Sequence, residues 1–249
     1  MTSALLETVG LRKTFGALVA TDSVDFDVRE GETHAVIGPN GAGKTTFIKQ
    51  LSGELRPDTG SVRFAGEDIT GLPPQRRSRK GLARSFQITS IFHDFSTLDN
   101  VALAIQAHAG HSFRFWRDAG RDDALVLPAL QLLRQVGLEH RAQVLATRLS
   151  HGEHRQLEIA MALATRPSLL LLDEPVAGTG ADESARIVAL LAGLKRQKTI
   201  ILVEHDMDAV FTLADRISVL VYGRIIATGT PAQIRANAEV RAAYLGEDG

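Results

Sequence analysis

One stretch of the chain carries the residue types of a phosphate site. Gly38-Pro39-Asn40-Gly41-Ala42-Gly43-Lys44-Thr45-Thr46 fits the pattern G-x-x-x-x-G-K-[ST]. Small residues let successive N–H groups turn inward and form a concave anion site. A helix starting at its end adds a partial positive charge. Lys44 is long enough to reach β- and γ-phosphates, and the Thr45 hydroxyl is a ligand suited to Mg²⁺. The stretch predicts a nucleoside triphosphate site.

A second constellation is Leu169-Leu170-Leu171-Leu172-Asp173-Glu174-Pro175. A buried strand ending in a carboxylate puts Asp173 at a sheet edge, where it can hold Mg²⁺ directly or through water. Glu174, one residue on, is suited to polarise an attacking water as a general base. The apolar run Thr199–Val203 likewise ends in polar residues, Glu204-His205-Asp206. Ligands gather at the C-terminal edge of open α/β sheets, so His205 is expected to contact the γ-phosphate. LSHGE (149–153) opens a helix, and Ser150 with Glu153 fits a capping box, a reading that carries no function by itself.

The elements that must position these groups follow from pattern. Thr33–Ile37 reads as a buried strand leading into the glycine loop, and Thr46–Ser52 as the first turns of the following helix. Residues 5–30 read as strand pieces, with a turn at Thr14-Phe15-Gly16 and a second strand at Ser23–Val28; Ser61–Ala65 is a further strand. The texture turns helical between about residues 73 and 165, with periodic runs at Asp99–Ala109, Asp122–Val136 and Glu153–Ala164. The alternating rhythm then returns. Leu169–Leu172 and Thr199–Val203 read as buried parallel strands around a crossover helix at Ala181–Leu194. Ile217–Val221 and Arg224–Ala227 read as a hairpin turning at Tyr222-Gly223, and Thr230 caps a last helix with Pro231 in its first turn. Gly110–Gly120 (GHSFRFWRDAG) interrupts the helical part with aromatic and basic residues. The charge run Gln75–Lys80 (QRRSRK) reads as a solvated face.

The chain has 249 residues, 44% apolar and 23% charged, the composition of a soluble globular α/β protein. A formal net charge of −1 gives no basic footprint for nucleic acid. There is no cysteine, which excludes disulfides and thiolate metal sites. The N-terminus lacks the basic and apolar regions of a secretory signal, and no apolar run reaches the length of a membrane span.

Five motifs, in order and spacing, resemble those of the ATP-binding-cassette (ABC) ATPases. GPNGAGKTT is similar to their Walker A loop and LLLLDEP to their Walker B. Gln87 looks like their Q-loop residue, LSHGE like their signature motif, and Glu204-His205 like their switch histidine. The resemblance covers essentially the whole chain and implies one domain at 5–245. That domain would have a RecA-like parallel sheet core, an antiparallel β flank, an inserted helical subdomain at about 88–160, and a C-terminal helix and tail at 231–249. It implies ATP and Mg²⁺ as ligands. Phe15 would stack on adenine, and the loop residues Gly38, Pro39, Asn40, Gly41, Ala42, Gly43, Lys44, Thr45 and Thr46 would hold the phosphates. Thr45, Gln87 and Asp173 would serve the metal, with Glu174, His205 and Gln87 in catalytic roles. Two cassettes pack head to tail in this family, so Ser150 and Gly152 would complete the ATP site of a second subunit.

Finer resemblance points to importers of branched-chain amino acids, carried by DITGLPP (68–74), GLARSFQ (81–87), LDNV (98–101), VEHDM (203–207) and VRAAYLG (240–246). It implies two membrane-spanning permease subunits, an extracytoplasmic solute-binding protein and a place on the cytoplasmic face of the membrane. LSHGE followed by DEPVAG also resembles cassettes of urea or amide importers, and the ending YLGED is shared with lipopolysaccharide-type exporters. Two departures stand out: His151 replaces a usual glycine of the signature, and Gly178-Thr179-Gly180 replaces the usual leucine and acidic or amide residue of the D-loop.

Overall fold

The computed structural model describes residues 4–85, 91–109, 123–195 and 197–245. The buried runs identified above form the centre of the molecule. β3 (Thr33–Ile37) and β8 (Thr199–Val203) are buried at every residue, and β7 (Leu169–Asp173) at all but its last. With β6 (Leu82–Arg84), β9 (Arg216–Val221) and β10 (Arg224–Gly229) they make a six-stranded sheet in the order β10-β9-β3-β8-β7-β6. The pairs β9-β3, β3-β8, β8-β7 and β7-β6 are parallel, and β10 returns antiparallel through the turn at Tyr222-Gly223. Continuous apolar strands arise because both faces of this sheet are covered.

One face packs on α1 (Lys44–Ser52) and on the antiparallel sheet β2-β1-β4-β5, made of β1 (Ala4–Phe15), β2 (Leu18–Arg29), β4 (Thr59–Phe64) and β5 (Glu67–Asp68). Leu6, Phe26, Phe47, Phe64 and Leu171 share that core, with Phe26 and Phe47 edge to face at 5.3 Å. The other face packs on α5 (His151–Ala164), α6 (Ala181–Leu194) and α7 (Met207–Leu213), while α3 (Thr97–Ala109) and α4 (Asp123–Gln135) pack on α5. Val101, Leu133, Leu157, Leu172 and Ile187 belong to this second core.

The differences from the sequence reading have local causes. The second strand starts at Leu18, not Ser23. Ser23 has φ +54° and stands in a break of register between the Leu11–Val24 and Lys13–Thr21 pairs, so its turn-like residues mark a bulge. Phe15 accordingly ends β1, with the hairpin turn beyond it. Leu82–Arg84, inside the stretch that reads as helical, joins the central sheet beside β7. The expected last helix is two, α8 (Pro231–Ala236) and α9 (Ala238–Leu245). Asn237 is extended between them, and its side-chain carbonyl accepts from the N–H groups of Glu239 and Val240, restarting the helix.

The charge run at Gln75–Lys80 is solvated at Gln75, Arg76, Arg79 and Lys80, with Arg77 the exception. The run lies in α2 (Pro74–Arg79) and its neighbours, and Arg77 is buried rather than solvated, at 1% exposure. Its guanidinium donates to the carbonyls of Gln50 and Leu51 at the C-terminus of α1, and to those of Thr70 and Leu72. The unsatisfied carbonyls of a helix end are the partners a buried cation needs.

Candidate functional site

The glycine loop leaves β3 and enters α1 with Gly43 at φ +104° as its N-terminal cap. A β-carbon on Gly43 would lie 2.1 Å from the Ala20 carbonyl oxygen, and one on Gly38 would lie 2.0 Å from that of Leu220. Only glycine lets the loop press against β2 on one side and β9 on the other. The Gly223 N–H donates to the Ala42 carbonyl at 2.9 Å, pinning the loop to the β9–β10 turn. Lys44 Nζ donates to the carbonyls of Gly38 at 2.6 Å and Pro39 at 3.0 Å, folding the ammonium over the loop. Burial lowers the Lys44 pKa, against the pull of Glu174 and Asp173.

Thr45, Asp173, Glu174 and Arg155 line one open cleft of about 270 Å³. A hydroxyl and a carboxylate beside a glycine loop form the donor set that Mg²⁺ takes when phosphates supply further oxygens, so the residues present fit such an ion. Glu174 has φ +49°, a conformation that non-glycine residues rarely adopt and that concentrates at functional sites. The Glu174 N–H donates to the Val203 carbonyl at 2.8 Å, which fixes this turn against β8. Its Oε1 stands 3.8 Å from His205 Nδ1, both side chains being open to solvent. The ends of β7 and β8 thus bring Asp173, Glu174 and His205 to one edge beside the loop.

Ser150 and Gly152 lie at the head of α5. Ser150 accepts from the Glu153 N–H at 3.2 Å while Glu153 Oε2 accepts from the Ser150 N–H at 2.8 Å, so the capping box is formed. The Ser150 hydroxyl also donates to Glu183 Oε1 on α6 at 2.7 Å. Gly152 is packed so closely that a β-carbon would meet Glu183 at 2.7 Å. The two unusual positions meet as well: Gly178 has φ +73°, and a β-carbon there would stand 3.3 Å from His151 Nε2. Phe15 is half exposed at the tip of β1, with Lys13 Nζ 5.8 Å from its ring centre. Gln87 lies outside the described residues, as does the Gly110–Gly120 stretch.

Comparison with known proteins bears on this arrangement. The ABC transporter family model matches residues 21–177, and a second model, of the branched-chain amino acid ATP-binding cassette transporter, matches residues 224–249. The chain is 39% identical, over 99% of its length and 100% of the relative's, to the high-affinity branched-chain amino acid transport ATP-binding protein BraF of Pseudomonas aeruginosa. It is 37% identical to the corresponding LivG protein of Escherichia coli, with the same coverage of both chains. This chain belongs to the ABC transporter ATP-binding family. Within it, the cassette falls in the branched-chain amino acid group. The crystal structure of an ABC transporter cassette in its ADP conformation superposes with a TM-score of 0.86 at 30% identity, covering 98% of this chain and 100% of that one.

Three residues near the candidate site are given no role of their own by the sequence reading. Glu204 is fully buried, and its carboxylate accepts from the N–H groups of Val176 at 2.8 Å, His205 at 3.1 Å and Asp206 at 3.4 Å. It ties the segment after Glu174 to the one bearing His205, and burial pushes its pKa up. Arg155 reaches the cleft from α5 and pairs with Glu158 at 3.1 Å. Burial raises Glu158 to about 7, against the pull of Arg155. Arg84, at the end of β6, donates to Asp173 Oδ2 at 2.8 Å and also pairs with Glu54. A lone arginine in the apolar LAR strand was the signal available for it. The larger cavity, about 690 Å³, is elsewhere: it opens between α2, β6 and α3, with Ser52, Arg84, Leu103, Met161 and Thr165 among its walls.

Proposed function

We propose that this cassette is the ATP-hydrolysing subunit of a transporter that imports branched-chain amino acids. The observation that carries the reading is the convergence of Thr45, Asp173 and Glu174 on one cleft at the end of the glycine loop. Full-length similarity to branched-chain amino acid transport ATP-binding proteins supports the solute class.

ATP phosphates rest on the loop from Gly38 to Thr46, and Lys44 exchanges its two loop carbonyls for β- and γ-phosphate oxygens. Phe15 offers a ring face to adenine. Thr45, Asp173 and Gln87 would hold Mg²⁺, which would neutralise charge on the phosphates. Glu174 takes a proton from the attacking water, whose oxygen bonds to the γ-phosphorus as the bond to ADP breaks. His205 holds the γ-phosphate; its 3.8 Å separation from Glu174 leaves space for a bridging oxygen. Ser150 and Gly152 contact the ATP of a second cassette, so ATP joins the two and its cleavage releases them. Two permease subunits at the cytoplasmic face of the membrane take up that motion, and an extracytoplasmic binding protein supplies the solute. No described helix is long and apolar enough to cross a membrane, in keeping with a peripheral subunit.

Phosphate release from ATP tests the chemistry. Glu174→Gln is expected to retain nucleotide binding and to lose turnover by about 100-fold or more, the usual contribution of a general base. Turnover at the wild-type rate would remove Glu174 from that role.

A further inference from the structure

Arg84 is a buried cation beside the cleft, one to which the sequence reading gives no role. Its side chain is 7% exposed and forks between two carboxylates, Asp173 at 2.8 Å and Glu54. The Asp173 oxygen it occupies, Oδ2, belongs to the carboxylate assigned above to Mg²⁺. The Glu54 oxygen that pairs with Arg84, Oε1, also accepts from the Ser52 hydroxyl at 2.9 Å. Arg84 Nε is buried with no hydrogen-bond partner, so the guanidinium is not saturated by its present contacts. The backbone around it is fixed: β6 pairs with β7 in parallel register, and the Ser85 N–H donates to the Leu171 carbonyl at 3.0 Å.

From this geometry we infer that Arg84 is a positioning residue that restrains Asp173 and competes with the metal for its carboxylate, acting as a counter-ion shared with Glu54. The inference rests on the assignment of Asp173 to Mg²⁺. In the present arrangement Arg84 fixes the carboxylate at the sheet edge and partly neutralises it, which keeps the free site from holding a divalent ion tightly. When nucleotide brings Mg²⁺, two like-charged groups compete for one carboxylate. Glu54 gives Arg84 a second acceptor, so the guanidinium need not be left unpaired in the interior. Arg84 also lines the 690 Å³ cavity between α2, β6 and α3, so it stands between that cavity and the metal end of the nucleotide cleft.

The test is Mn²⁺ affinity of the full chain saturated with a non-hydrolysable ATP analogue, with free Mn²⁺ read by electron paramagnetic resonance. Asp173→Asn is the reference: if it leaves Mn²⁺ affinity unchanged, the metal assignment itself fails. With that reference weakened, Arg84→Gln is expected to tighten Mn²⁺ binding about tenfold or more, tenfold being the effect of removing a cation ~6 Å from a divalent ion at a permittivity close to that of water. Glu54→Gln is expected to weaken it by leaving Arg84 committed to Asp173, and to have little further effect in the Arg84→Gln background. Metal-free analogue binding and the melting temperature report whether each variant is folded. Mn²⁺ affinity unchanged or weakened in folded Arg84→Gln would overturn the inference, as would additive effects in the double variant. If Arg84→Gln does not fold, Glu54→Gln decides: weakened binding supports the inference, and unchanged or tightened binding overturns it.

Discussion

The Ser150 hydroxyl donates to Glu183 Oε1 at 2.7 Å, so the serine proposed to contact a partner's ATP is already engaged within its own chain. That hydrogen bond is the main reason why the Glu183 pKa lies below its ordinary value. A γ-phosphate arriving at the head of α5 would meet a carboxylate of the same sign and would have to displace it. Removing the carboxylate should therefore favour the ATP-joined dimer. In a Glu174→Gln background, Glu183→Ala is expected to lower the ATP concentration needed for dimerisation by about threefold or more. Sedimentation across an ATP titration measures this, and an unchanged or raised midpoint would show that Glu183 does not compete.

Arg77 makes four carbonyl contacts with almost no exposure. Burial lowers its pKa to about 10, against the pull of Asp68, so it remains charged at neutral pH. Arg77→Ala leaves the carbonyls at the end of α1 unsatisfied and opens a cavity. A loss of about 3 kcal/mol in urea unfolding is expected. A change within about 0.5 kcal/mol, typical of a surface substitution, would contradict the structural role.

His34 supplies a pH signature. It is fully buried, with Nδ1 3.0 Å from the Asp27 carbonyl oxygen and Nε2 2.8 Å from Ser218 Oγ. Burial, aided by Arg216, lowers its pKa to about 3. The unfolded chain therefore takes up this proton near pH 6.5 while the folded chain does not. The stability His34 contributes is complete above that pH and is lost as pH falls toward 3. Between pH 7.5 and 5 the loss attributable to His34 is about 2 kcal/mol. Urea unfolding at the two pH values should show a drop smaller by that amount in His34→Gln. An equal drop in both proteins would place the proton elsewhere.

The motifs of the candidate site were legible because the chemistry proposed for them demands particular residues in fixed local order. The glycine loop declares itself through Gly43, whose φ and contact with Ala20 admit no side chain. Asp173 and Glu174 are legible because a buried strand has to end where they stand. Arg84 and Arg77 were not. Each is a cation whose partners are distant in sequence, and for Arg77 charge patterning alone points to solvent. The Ser150–Glu183 contact was hidden for the same reason, since the capping box accounts for Ser150 by local spacing while α6 arrives through the fold. Ser23 and Asn237 show the limit of turn chemistry: one makes a bulge inside a strand, the other joins two helices.

The central claim is that this cassette works as part of a membrane importer. Its most direct test is capture of the Glu174→Gln chain with ATP from solubilised membranes, followed by identification of what accompanies it. The expected result is recovery of a second cassette and two polytopic membrane subunits, released when ATP is withheld. Recovery of the chain without any membrane subunit would contradict the transport role.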